Sequence, residues 1–201
     1  MYMDALNIIK DNFYFGWFAL LLFFIGFCSS FLVEYFNIKF LKVFPSWFIK
    51  TITKFVNPGS GFIRIFLFIF LFNSISIAVY MSSGVFVVLP FIIAFLTGMN
   101  IGISVFVPQV RTSENFQPPA KVSGGRAFKI MLFSTLVLVL EVLAFSLALG
   151  MGISLAISVA SNYRYIYIVN LLLLKLEAYL IVCVPVLALS AYLEASVIKR
   201  D

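Results

Sequence analysis

Four polar side chains sit deep in apolar sequence where chemistry would be expensive to keep without a purpose: Asn73, Asn100, Glu141 and Glu194. Asn73 lies nine residues beyond Arg64, about 13 Å along a helix. Asn100 stands between Gly98 and Gly102, and Glu194 comes five residues before Lys199. Glu141 is twelve residues past Lys129, about 18 Å at helical rise, with no basic residue near it on its own segment. A carboxylate at that depth costs roughly several kcal/mol unless it is protonated, solvated or hydrogen-bonded across helices. Glu141 is therefore expected to face the interior, with Asn73 as its first partner by depth and Asn100 as its second. Two readings of the four groups follow. They form interhelical hydrogen bonds that fix the packing of an apolar bundle, or they line the path of a proton, ion or solute. A water-accessible cavity reaching Glu141 from one side favours the path, and a dry, fully packed bundle favours the structural role.

Other chemistries are excluded by composition. With no histidine there is no His-based triad, His metal site or HExxH motif. GxSxG and P-loop patterns are missing, and the only aspartates, Asp4, Asp11 and Asp201, lie at the chain ends. Catalytic, cofactor-binding and metal-ligating residues are accordingly not expected, and the chain is read as non-enzymatic. Cys28 and Cys183 fall within apolar segments and read as small buried hydrophobes.

The elements that position these groups follow from hydropathy. The chain is 63% hydrophobic and 11% charged, and its mean hydropathy is +1.12. No soluble fold of 201 residues could cover that much apolar surface, so lipid must be the solvent. An all-α integral membrane protein is expected as a single transmembrane domain over 1–201, with spans at about 13–33, 62–81, 85–107, 130–152 and 178–197. The first is read as a retained span, since no basic n-region or A-x-A site accompanies it. The short Ser82-Ser83-Gly84 turn predicts that the second and third spans lie side by side. Residues 108–126, rich in Pro, Gly and polar types, read as a cytoplasmic loop with Gly124-Gly125 as a flexible turn. The 34 apolar residues from Ala127 to Ala160 exceed one upright crossing, and Gly150-Met151-Gly152 is the expected weak point. For the last block, a surface helix over Tyr163–Leu176 followed by a crossing from Ala178 keeps Lys175 and Glu177 at an interface; one long tilted helix is the alternative.

Between Ile38 and Val56, Lys39, Lys42, Lys50 and Lys54 fall in one sector of about 120° while aromatic and aliphatic residues fill the rest, which predicts a basic amphipathic interfacial helix broken near Pro45. Gly84, Gly98, Gly102, Gly150 and Gly152 read as close helix-packing contacts. With five crossings, eleven basic residues fall on one side and three on the other, placing the N-terminus outside and the C-terminus in the cytoplasm. The net charge of +6 thus reports topology, not nucleic acid. The expected partners are membrane lipids and either another copy of the chain or other membrane proteins.

From Phe62 to Lys199 the order of these groups resembles the stage II sporulation protein M family of small polytopic membrane proteins. The resemblance rests on FLFNSISIAVYMSSGVF with Asn73 and Gly84, LTGMNIGISVF with Asn100 and Gly102, LEVLAFSLALGMGISL with Glu141, Ala144, Gly150 and Gly152, and VPVLALSAYLEASV with Pro185 and Glu194. A His-Gly pair usual in that family before its glutamate is replaced here by Val137 and Leu138. The resemblance implies a membrane scaffold or assembly component; the namesake works with peptidoglycan-degrading partners during engulfment. A small transporter or channel component that uses an intramembrane carboxylate is the alternative that the residues themselves leave open.

Overall fold

The computed structural model describes residues 2–56, 59–106, 124–161 and 164–199. They form helices α1 (Tyr2–Tyr35), α2 (Lys39–Phe55), α3 (Phe62–Ser82), α4 (Leu89–Phe106), α5 (Gly124–Ala160) and α6 (Tyr165–Ile198), with a single 3-10 turn at Ser83–Val85 and no strand among the described residues. Four stretches are long and apolar enough to cross a membrane: Lys10–Tyr35, Phe62–Val85, Met131–Ala160 and Tyr165–Ile198. The apolar run Leu89–Val105 of α4 is shorter. The chain is thus all-helical and has the makings of an integral membrane protein.

Local chemistry sets the corners. Asn37 ends α1 at φ 49°, the left-handed conformation that asparagine tolerates. The Ile38 N–H then reaches back to the Val33 carbonyl and the Asn37 N–H to Glu34, both at 3.0 Å, closing the helix as a Schellman motif. Lys42 locks the corner from the other side, donating to Glu34 at 2.8 Å and to Asn37 at 3.1 Å. Lys42, assigned to the membrane-facing basic stripe, is therefore engaged within the protein. The expected break at Pro45 is also corrected, since α2 runs through it. The Ser46 hydroxyl donates to the Lys42 carbonyl at 2.7 Å just where the proline loosens the backbone ladder.

The helices alternate in direction. Phe18 meets Phe91, and the backbones at Phe23 and Phe27 meet Gly98, so α1 and α4 run parallel. Gly16 faces Ser146 and Gly150 while Phe23 faces Phe145, so α5 runs against α1. Phe62 packs on Tyr192 and the Tyr179 hydroxyl reaches Ser74, so α6 runs against α3. At the centre stands α5, whose apolar window is 56% buried against 17–28% for the other three long helices.

Contrary to the expected hairpin, α3 and α4 scarcely touch. The principal partner of α4 is α1, because Gly98 and Gly102 let its backbone press against Phe23, Phe27 and Ser30, and Gly26 of α1 returns the fit against Phe95. Gly84 meanwhile seats the 3-10 turn on Gly152 of α5. A Cβ at Gly150 would lie 2.6 Å from the Gly16 nitrogen, and one at Gly152 would lie 2.8 Å from the Tyr80 oxygen. These two glycines are helix crossings and not the expected break, for α5 is continuous through them.

Two further boundaries are corrected. Gly124, Gly125 and Arg126, assigned to the loop, begin α5, and residues 108–123 of that loop lie outside the described residues. The proposed surface helix and last span are one continuous helix carrying a π turn at Tyr179–Cys183, where the Val184 N–H bonds the Tyr179 carbonyl. That wide turn makes room for the ring of Pro185, which has no N–H to give. Lys175 is not a surface residue of this helix: it is 1% exposed. Cys183 is buried as expected, whereas Cys28 is exposed on α1.

Candidate functional site, a paired-carboxylate cleft

Three helices converge on Glu141. From α3, the Asn73 amide nitrogen donates to its Oε1 at 2.7 Å; from α6, the Ser190 hydroxyl donates to the same oxygen at 3.3 Å. Glu194 follows Ser190 by four residues, hence one turn along the same face of α6, and is close enough to Glu141 to interact electrostatically. The depth argument from sequence therefore finds the right first partner.

Asn100 does not join them. It lies on α4, its backbone carbonyl accepts the Ser104 hydroxyl at 2.8 Å, and its side chain makes no polar contact with Glu141 among the described residues. The reason is the docking of α4 on α1, which carries Asn100 away from α3. Equal depth in the membrane did not imply a shared face.

Glu141 and Glu194 open onto a cleft of about 320 Å³ between α5 and α6, completed by Ser134, Val137, Leu138, Val197 and Ile198. It follows both helices from mid-bundle to the C-terminal end of α6. Its lining is mostly apolar, which leaves the two carboxylates and the Ser134 hydroxyl as its polar groups.

A second polar set lies toward the other end of α6. The Lys175 ammonium donates to Asn12 Oδ1 of α1 at 2.9 Å, with Asn12 itself only 5% exposed. One turn further, the Tyr179 hydroxyl donates to the Ser74 carbonyl at 2.7 Å. Sequence reasoning missed both contacts: Asn12 stood just before the expected first span, and Lys175 was taken as an interface marker. The spacing Lys175, Tyr179, Cys183, followed by Ser190 and Glu194, is the signal that could have found them, since steps of four share one helix face.

Among the described residues no three His, Cys, Asp or Glu side chains gather as metal ligands would. Comparison with family models, characterised proteins and solved structures gives no match. The site has to be read from its own chemistry. A carboxyl with a neutral amide and a hydroxyl on one oxygen can hold or release a proton, and the second carboxyl that lines the same cleft can take one up.

Proposed function

We propose that this chain is a non-enzymatic polytopic membrane protein that carries protons or small cations, with Glu141 and Glu194 as the exchanging groups. The observation that carries this reading is the pair: two carboxyls share one cleft in an otherwise apolar wall. A single glutamate hydrogen-bonded to Asn73 and Ser190 could serve as packing glue, and a glutamine would serve equally well. A second carboxylate beside it adds repulsion and desolvation cost that packing does not require. Reconstituted into vesicles that enclose a pH-sensitive dye, the protein is expected to collapse an imposed pH gradient. Glu141→Gln and Glu194→Gln should each slow that collapse about a hundredfold or more, in the range of a lost acid–base group. Parent and variant rates equal to those of empty vesicles would sink the reading.

The second reading is a membrane scaffold or assembly component, in keeping with the family resemblance, and α2 supports it. This helix leaves Phe40, Phe44 and Trp47 exposed on one side and Lys39, Lys50 and Lys54 on its surface, which suits an anionic lipid surface or another membrane protein, including a second copy. Replacing Lys39, Lys50 and Lys54 by Gln is expected to weaken and desensitise to salt the association with anionic vesicles, at about 1 kcal/mol per lysine. Lys42→Gln should instead act on the α1–α2 corner, because its ammonium is held by Glu34.

Under either reading we place α4 as a fifth crossing, α2 at the cytoplasmic surface, the N-terminus outside and the C-terminus inside. Cysteines substituted for Ser161 and Ser113 check the orientation in a background without the native thiols. An impermeant thiol reagent added to intact cells is expected to label the first and spare the second; the reverse pattern overturns it.

A further inference from the structure

We infer that the Lys175–Asn12 contact between α6 and α1 is the closed gate of a path whose open mouth is the carboxylate cleft. This rests on the carrier reading above. Along its inward face α6 presents an ammonium, a phenol, an apolar layer, a hydroxyl and a carboxyl, at Lys175, Tyr179, Cys183 with Leu187, Ser190 and Glu194. The first and last are nineteen residues apart, about 28 Å at helical rise. The apolar layer is closed by Ile77 of α3 and by Ala144 and Ala148 of α5. The cleft ends at Glu141 and Glu194 on one side of this layer, and Lys175 lies on the other.

Three observations make this contact a gate and not a brace. A fully buried ammonium whose hydrogen-bond partner among the described residues is one neutral amide is a costly way to join two helices, because removing its hydration is repaid only in part. Asp11 adds attraction from the exposed side of α1, but no ion pair forms there among the described residues. Polar atoms are left unsatisfied on the neighbouring turn: Glu177 Oε1 and Ser74 Oγ are buried without a hydrogen-bond partner. Such groups find partners when water enters. Finally, the π turn at Tyr179–Cys183 separates the half of α6 that carries Lys175 from the half that carries Ser190 and Glu194, and a wide turn followed by proline is where one half of a helix can tilt without the other. Opening would swing Tyr165–Ala178 away from α1, part Lys175 from Asn12 and Tyr179 from Ser74, and admit water to the layer at Cys183.

Cys183 is the reporter. In a Cys28→Ser background it is the sole thiol, and its alkylation by a water-soluble maleimide, added to proteoliposomes on the side of the α1 N-terminus, measures opening. Asn12→Leu removes the acceptor and is expected to speed alkylation about tenfold or more, the range set by losing a hydrogen bond to a charged group. Asn12→Asp places a carboxylate on the ammonium and is expected to slow it below the parent. Should Asn12→Leu not fold, Asn12→Ala removes the same acceptor without adding bulk. Equal alkylation in the parent, the acceptor-less variant and Asn12→Asp, all melting alike, overturns the gate. The carrier reading fails separately, by an absence of proton flux in the parent whatever Cys183 does.

Discussion

Glu141→Leu is expected to lower the melting temperature in detergent by roughly 5–10 °C, whereas Glu141→Gln stays within about 2 °C of the parent. Leucine fills the volume but leaves the Asn73 amide and the Ser190 hydroxyl facing apolar walls without an acceptor. Each buried orphan costs about 1–3 kcal/mol, and in a chain of this size each kcal/mol is worth about 2–4 °C. Glutamine keeps an oxygen where Oε1 stands and so keeps both donors satisfied. What it removes is the exchangeable proton. Thermal unfolding followed by circular dichroism separates the two: equal losses in both variants would mean that the hydrogen bonds to Oε1 do not hold α3, α5 and α6 together.

Gly98→Val carries the largest expected effect on folding. A Cβ at this position collides with the Phe23 carbonyl of α1, and the branched side chain would have to force apart two backbones that Gly26, Gly98 and Gly102 bring together. Without a hydrophobic driving force between helices in lipid, close backbone approach is most of what joins α1 to α4. Loss of a monodisperse peak in size-exclusion chromatography is the expected result, with Gly98→Ala intermediate. Gly61→Ala, where nothing lies within 4 Å, is the matched control and should elute as the parent does. A stable, monodisperse Gly98→Val would show that α4 is not seated on α1.

Hydropathy located the apolar helices because a bilayer demands a minimum run of apolar residues, and the charged ends marked depth along each. That is why simple arithmetic from Arg64 and Lys129 brought Asn73 and Glu141 to one level. It could not give facing. On helices apolar all round, no periodic stripe says which side meets which neighbour, so α4 was assigned to α3 by its short turn when the glycine edges committed it to α1. The same blindness hid Ser190, since a serine in an apolar helix ordinarily bonds its own backbone, as Ser146 and Ser158 do here. For Lys175 the general rule that lysines seek the interface gave a depth but no partner. Its burial against Asn12 is a matter of how α1 and α6 face each other, which that rule does not address.

In the proposed function Glu141 and Glu194 exchange protons with water while the protein stays folded. Infrared difference spectroscopy of the protein in lipid, stepped through pH, reads the carbonyl band of protonated carboxyls directly. The expected result is a band that rises and falls reversibly with pH and loses intensity in Glu141→Gln and again in Glu194→Gln, with the amide bands unchanged. A carboxyl band in the parent that stays constant until the amide bands report unfolding would contradict it, for the proton would then be a fixed part of the packing.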